Sequence, residues 1–243
     1  MLKGSALEKM KTENKTKSAL IVIDMENGFI NEESPHCIAW AKKTIPACIR
    51  AIETARSKGI PVFFVKRIYR YDGSDVELTR YESWKSGGRS MGPASTGLNS
   101  AQVPEGLKPL PGDYTIIKPR WSAFFHTELD LILRRLQVRT VILMGTTTPN
   151  CIRTTCYDAN SLEYNVVVLE DCCSSMTDEI QRVNIEDMGR MGALITNSRE
   201  FENYNENTVV DMSRKIYGEI LASDYFPEEF ESLGTDSGWF DRW

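Results

Sequence analysis

This chain alternates short apolar runs, typical of buried strands, with longer segments that have the periodicity of amphipathic helices. Six strands are predicted, over residues 18–24, 60–66, 114–118, 138–144, 165–169 and 193–195. Four helices are predicted, over residues 38–58, 129–136, 151–162 and 178–191. Strands that are apolar on both faces occur in parallel sheets covered by helices. The alternation therefore predicts an α/β fold with a parallel sheet and helices on both of its faces.

The same pattern divides the chain into three parts. Residues 1–17 are polar and are predicted to form a mobile, charged leader, and residues 18–196 a single folded domain. Residues 197–243 form an acidic, aromatic extension, which we expect to dock on the domain or on a neighbouring subunit. Within the domain, residues 69–105 lose all periodicity, and irregular stretches of this length are more often functional than mere connections.

Charge and cysteine content limit the partners of the protein. The net charge is -5 with both signs mixed along the chain, and no basic block indicates a nucleic-acid partner. The apolar runs are too short to span a bilayer and the N-terminus has no apolar signal core, so we expect a cytoplasmic protein without a membrane partner. Six cysteines in a chain of 243 residues do not indicate a disulfide framework, and we expect free thiols.

Cys151 is the first candidate for chemistry, because it follows a buried strand and a glycine turn and opens a predicted helix. Unpaired backbone N–H groups and the helix dipole favour a thiolate at such a position, and the thiolate is the nucleophilic form of cysteine. The alternative, a small buried cysteine that packs under a helix, stays open at this point.

Asp24 and Lys118 are the next candidates. Each ends a different predicted strand, and Cys151 follows the end of a third. The C-terminal ends of parallel strands lie on one edge of the sheet, where ligands bind. A carboxylate, an ammonium and a thiol at one edge support covalent catalysis on a carbonyl, with Asp24 as the base and Lys118 as electrostatic support. Taken singly, an Asp at a strand end is usually a turn or cap residue, and a Lys there a solvated head group.

A histidine-based cysteine hydrolase is the competing arrangement. The chain has two histidines, His36 and His126, and neither ends a predicted strand. A Cys151–His126 pair is conceivable, but the strand ends favour the arrangement with Asp24 and Lys118.

Three separated motifs resemble those of the isochorismatase-like cysteine hydrolases. Residues 22–29 (Val-Ile-Asp-Met-Glu-Asn-Gly-Phe) resemble the first motif, and residues 118–124 (Lys-Pro-Arg-Trp-Ser-Ala-Phe) the lysine motif. Residues 145–159, which begin Gly-Thr-Thr-Thr-Pro-Asn-Cys, resemble the cysteine motif. The resemblance covers roughly residues 18–196 and is specific to the superfamily rather than to one member.

The resemblance implies a Rossmann-like, three-layer sandwich around a six-stranded parallel sheet. It implies a catalytic triad of Asp24, Lys118 and Cys151, and a cis peptide between Thr146 and Thr147. It also implies that the N–H groups of Thr147 and Cys151 form the oxyanion hole. Members of the superfamily commonly form dimers or tetramers, so a homo-oligomer is expected.

Because Cys151 is present, the resemblance favours an amidohydrolase of the N-carbamoylsarcosine amidase, biuret hydrolase and ureidoacrylate hydrolase type. Such an enzyme cleaves a C–N bond of a small amide, ureido or carbamoyl compound through a thioester. Nicotinamidases of the superfamily bind a metal through histidines before the lysine motif, and residues 67–117 contain no histidine. We therefore expect neither a metal nor another cofactor. A vinyl-ether hydrolase of the isochorismatase type, in which Cys151 is a bystander, and a non-catalytic binding scaffold remain as alternatives.

Three aromatic residues are candidates for the substrate pocket. Phe29 follows the first motif, Trp84 lies in the irregular segment and would close over the site, and Trp121 is next to the lysine motif. Ordinary core packing is the alternative for each of them.

Overall fold

The structure is a computed structural model that describes residues 18–205, 207–210 and 212–222. The predicted leader (residues 1–17) and residues 223–243 of the predicted extension lie outside the described residues. The described residues before Met212 belong to one compact unit, and the helix that begins at Met212 belongs to a second.

The core of the first unit is one six-stranded sheet in which all strands are parallel. The strands are β1 (Ser18–Ile23), β2 (Val62–Lys66), β3 (Tyr114–Ile117), β4 (Thr140–Thr146), β5 (Asn165–Ser174) and β6 (Leu194–Thr196). Their order is β3-β2-β1-β4-β5-β6, so the direction of winding reverses between β1 and β4. This reversal is the point at which open α/β sheets form a crevice for ligands.

Helices follow most of the strands, as the sequence pattern predicts. They are α1 (Asn27–Ile30), α2 (Ala41–Ser57), α3 (Tyr81–Ser86), α4 (Leu129–Arg135), α5 (Arg153–Ser161), α6 (Asp178–Arg190) and α7 (Met212–Ala222). Short 3-10 turns occur at Glu105–Leu107 and Glu200–Asn203, and one π turn occurs at Thr148–Ile152.

Alternation along the strands places apolar side chains on both faces of the sheet. Leu20 and Val22 of β1 pack in a core with α2, whereas Ile21 and Ile23 pack in a core with α4, α5 and α6. Side chains on successive strand residues point to opposite faces, so a strand that is buried on both sides needs apolar residues at every position. The predicted three-layer α/β sandwich with a six-stranded parallel sheet is confirmed.

β5 is longer than predicted, because it continues through charged residues to Ser174. The predicted strand ends at residue 169, just before the charged residues Glu170 and Asp171. The pairing of β4 with β5 shifts register between Leu143 and Gly145, so that Gly145 comes to lie opposite Cys173. Register irregularities of this kind are frequent beside active sites.

Two other sequence-based assignments are corrected by the structure. Cys151 does not open a helix but lies in the π turn that precedes α5. The N–H of Ile152 donates to the carbonyl of Thr147, and Pro149 has no N–H to contribute to a regular first helical turn. The segment 69–105 contains the short helix α3, which is too brief for a periodicity signal.

The start of the predicted extension packs on the domain. Phe201 and Tyr204 are buried in the core that includes α2, and the hydroxyls of Tyr204 and Ser18 are 2.8 Å apart. α7 belongs to the second unit. Among the helices of the described residues, none has the length and apolar character needed to cross a membrane.

Candidate active site

The three strand-end residues meet at the centre of the sheet edge. Lys118 Nζ lies 2.8 Å from Asp24 Oδ2 and 3.5 Å from Cys151 Sγ. Lys118 and Asp24 are 0% and 1% exposed, and Cys151 is 5% exposed. An ion pair that is excluded from water in this way is held to one geometry next to the thiol.

Asp24 is positioned by an unusual backbone conformation directly after β1. Its φ is +50°, a left-handed value that a non-glycine residue rarely adopts. Its N–H donates to the carbonyl of Val65 at 2.9 Å, so the residue still pairs with β2. Left-handed non-glycine residues are held by the surrounding structure and cluster at functional sites.

Lys118 reaches the site from β3, and its own N–H donates to the carbonyl of Lys66 at 2.9 Å. Its ammonium group has three contacts: the Asp24 carboxylate, the Cys151 sulfur and the carbonyl of Arg120 at 2.9 Å. The contacts with the carbonyl and the sulfur are hydrogen bonds, and the contact with the carboxylate is an ion pair. The ammonium is thereby fixed between the acid and the thiol.

The electrostatics of the site keep Cys151 protonated at rest. Burial raises the pKa of the Cys151 thiol, the positive charge of Lys118 opposes this, and the negative charge of Asp24 adds to it; the net pKa is above the ordinary value. The thiolate that we expected from a helix N-terminus is therefore not the resting form, since the residue lies in the π turn and is buried. Deprotonation requires a base, and Asp24 is next to it.

The turn around Cys151 is fixed by hydroxyl groups. The Thr146–Thr147 peptide bond is cis. The hydroxyls of Thr147 and Thr148 both donate to the carbonyl of Ser174 at 3.0 Å, which ties the turn to the end of β5. These contacts hold the backbone that the resemblance assigns to the oxyanion hole.

Thr155 ties Cys151 to the lysine motif. Its hydroxyl donates to the carbonyl of Cys151 at 2.6 Å and accepts the N–H of Ala123 at 2.9 Å. The hydroxyl is buried, so both bonds form without competition from water.

Gly145 is required where β4 passes β1 just before the turn. Its φ is +122°, and a Cβ at this position would lie 2.0 Å from the carbonyl oxygen of Ile23. No other residue type fits this approach, which brings the segment that carries Cys151 against the strand that carries Asp24.

A second buried ion pair adjoins the site, and the sequence analysis did not identify it. Arg67 pairs with Glu77, and Glu77 also accepts the hydroxyl of Tyr69 at 2.8 Å. Burial lowers the pKa of Arg67, but nearby anionic groups, with Asp24 first and Cys151 among them, outweigh it and raise the pKa. Arg67 directly follows β2, so the rule that identified Asp24 and Lys118 would also have selected it.

Glu26 is another buried group that the sequence analysis missed, although it lies in the first motif. It is 0% exposed, and its Oε2 accepts the N–H of Arg67 at 3.1 Å. Its Oε1 has no hydrogen-bonding partner among the described residues. Burial and then the charge of Asp24 raise the pKa of Glu26 well above its usual value.

The three aromatic candidates lie in two different clusters. Phe29 and Trp84 are buried in one small cluster together with Tyr69 and Met91, and the indole N–H of Trp84 donates to the carbonyl of Ser90 at 2.9 Å. Trp84 thus packs as an interior residue rather than as an exposed cover. Trp121 is partly buried against the core cluster that contains Cys151.

The histidine alternative gains no support from the geometry. His126 is exposed and its ring contacts Phe125, whereas the groups around Cys151 are Lys118 and Asp24. Across the part of the chain that the structure describes, no cluster of three or more His, Cys, Asp or Glu side chains is arranged to hold a metal ion.

Comparison with known proteins places this geometry in a family. The model of the isochorismatase domain matches residues 18–200. A protein of Arabidopsis thaliana named probable inactive nicotinamidase is 41% identical over 177 residues, which cover 72% of this chain and 89% of the relative.

Two further relatives have names that refer to amide hydrolysis. The ureidoacrylate amidohydrolase RutB of Caulobacter segnis is 32% identical over 171 residues, 63% of this chain and 71% of that protein. The crystal structure of N-carbamoylsarcosine amidase from Thermoplasma acidophilum is 29% identical with a TM-score of 0.62, and the match covers 75% of this chain and 97% of that one. With the family model matching most of the described chain, this protein belongs to the isochorismatase family of hydrolases.

Proposed function

We propose that this protein is a cysteine amidohydrolase that cleaves a C–N bond of a small amide, ureido or carbamoyl compound. The observation that carries the proposal is the contact of Lys118 Nζ with both the Asp24 carboxylate and the Cys151 sulfur in a buried site. The names of the RutB and N-carbamoylsarcosine amidase relatives support the same reaction class.

The proposed first step forms a thioester. Asp24 takes the proton of the Cys151 thiol, and the sulfur attacks the carbonyl carbon of the substrate. The carbonyl oxygen becomes an oxyanion, which the N–H groups of Thr147 and Cys151 bind. The C–N bond then breaks, its electron pair leaves with nitrogen, and protonated Asp24 gives its proton to the leaving amine.

The second step releases the acid. Asp24, now ionised again, takes a proton from water as the water oxygen attacks the thioester carbon. The C–S bond breaks and the sulfur regains the proton from Asp24. Lys118 keeps its charge throughout and stabilises both the carboxylate and the developing thiolate, which offsets the raised pKa of the buried thiol.

The test is an ammonia-release screen over carbamoyl, ureido and primary amide compounds. Cys151→Ala is expected to lower turnover by at least about 10³-fold, since it removes the nucleophile. Cys156→Ala is the matched control, because Cys156 is also a buried thiol but has no contact with Lys118 among those described. A substrate-derived mass on Cys151 after acid quenching would identify the thioester.

The second candidate is a binding scaffold without turnover. The name of the Arabidopsis relative, probable inactive nicotinamidase, supports this candidate. If no compound in the screen is turned over but one of them binds, the binding scaffold is favoured. Undiminished hydrolysis of a vinyl-ether substrate by Cys151→Ala would instead favour the isochorismatase type of reaction and contradict the amidohydrolase.

A further inference from the structure

The ionised groups of the buried site balance without Glu26. Lys118 pairs with Asp24, and Arg67 pairs with Glu77, and all four side chains are at most 3% exposed. Burial raises the pKa of Glu77, but the charges of Arg67 and Arg80 and the hydrogen bonds to the carboxylate together outweigh it; the net pKa is below the usual value, which favours an ionised pair. Two cations therefore face two carboxylates, and a third buried negative charge would have no matching cation.

Glu26 differs from Asp24 in its contacts, because Asp24 has the Lys118 ammonium 2.8 Å away, whereas Glu26 has no ion pair among the described residues. Its two oxygens receive one described hydrogen bond, from the backbone of Arg67, and Oε1 receives none. A buried carboxylate offers about four acceptor positions, and leaving them empty without water is costly. A protonated carboxyl still has an O–H donor and acceptor positions, but it avoids the much larger cost of burying an unpaired charge.

The groups that face Glu26 come from three strand ends. Asp24 follows β1, Lys66 and Arg67 lie at the end of β2, and Lys118 follows β3. The charge of the partly buried Lys66 is the largest influence that lowers the pKa of Glu26, but burial and the charge of Asp24 outweigh it. The main effect of ionising Glu26 would be repulsion between its carboxylate and that of Asp24.

We propose that Glu26 is a positioning residue that keeps its proton in the resting protein, so that of these two neighbouring carboxyls Asp24 alone is charged beside Lys118 and Cys151. Its Oε2 fixes the backbone of Arg67 beside the first motif. If Glu26 lost its proton, a second negative charge would compete for Lys118 and oppose formation of the thiolate. The inference about catalysis rests on the proposed function, whereas the protonation state does not.

The protonation state is measured on the whole protein labelled with ¹³C at its glutamate carboxyl groups. We expect an infrared band of a protonated carboxyl at neutral pH, which disappears in Glu26→Gln. Should Glu26→Gln fail to fold, Glu26→Asp serves instead, since it also removes the labelled group. Absence of the band from the wild-type protein at neutral pH would overturn the proposal, whether or not any substrate is found.

The effect on catalysis is measured as the pH profile of kcat/KM for a substrate found in the screen. Glu26→Gln keeps the shape and the acceptor for the Arg67 N–H, and its activity should persist to higher pH than that of the wild type. Glu26→Ala loses the acceptor and should fall at least about tenfold at every pH. Coinciding alkaline limbs for the wild type and Glu26→Gln would refute the catalytic part of the proposal.

Discussion

Removing either partner of the Asp24–Lys118 ion pair should destabilise the protein strongly. Removing both should cost less than the sum of the two single losses. Two unit charges 2.8 Å apart attract each other by about 6 kcal/mol at an effective dielectric constant of about 20. Desolvation of the two buried ions offsets much of this gain, so the intact pair contributes little net stability. Lys118→Met leaves the buried Asp24 carboxylate without its paired cation, which costs about 3–5 kcal/mol.

A double-mutant cycle tests this reasoning. Lys118→Met, Asp24→Asn and the double variant are unfolded in urea, and the free energies of unfolding are compared with that of the wild type. The double variant buries neither charge, so its loss should fall short of the sum of the single losses by at least about 2 kcal/mol.

The exposed pair of Lys42 and Glu32 is the matched control for the cycle. Its charged atoms are 3.3 Å apart, but the side chains are 63% and 70% exposed, so no coupling should be resolved. If the losses in unfolding free energy of Asp24→Asn and Lys118→Met add up to that of the double variant within about 0.5 kcal/mol, the buried ion pair is refuted.

Three further substitutions test other parts of the site. Gly145→Ala places a Cβ against the Ile23 carbonyl and should lower the free energy of unfolding by more than about 3 kcal/mol, measured by thermal unfolding. Glu77→Gln leaves the buried Arg67 without its paired carboxylate and should lower the free energy of unfolding in urea by about 3–5 kcal/mol. Glu26→Gln should gain stability relative to the wild type as pH rises above the usual glutamate pKa of 4.5. The native wild type binds a proton that its unfolded chain releases, so the difference should grow by up to about 1.4 kcal/mol per pH unit.

Each of these has an outcome that contradicts it. Gly59→Ala is the control for Gly145→Ala, since its φ is also positive at +69° but a Cβ there meets nothing within 4 Å. Equal losses at both glycines would mean that only the backbone conformation matters. A loss at Glu77 of the size usual for exposed carboxyls, or parallel pH curves for Glu26→Gln and the wild type, would contradict the charge balance of the site.

Much of the fold and the central contact of the site follow from the sequence, because burial on both faces leaves a continuous apolar signal in the strands. Asp24 and Lys118 stand out since a charged residue ends each run, and parallel strands bring such ends together. The sequence also predicts Cys151 at this edge. It does not predict the local structure there, because a five-residue π turn has no distinct periodicity.

The surroundings of the site were harder to predict. Glu77 lies in a segment without periodicity, so nothing in the sequence connects it with Arg67. The protonation of Cys151 depends on burial, which a position in the sequence does not specify. Phe29 and Trp84 have the residue types of both a pocket wall and a small core, and packing distinguishes these only in three dimensions.

The strand order also dictates which residue type can serve at the end of β3. Strand β2 lies between β3 and β1, so the Lys118 backbone is about 10 Å from that of Asp24, two interstrand spacings. A short side chain cannot bridge this gap, and among cationic residues only lysine and arginine have stems of the necessary length. The width of the sheet therefore favours a long cationic side chain at this position.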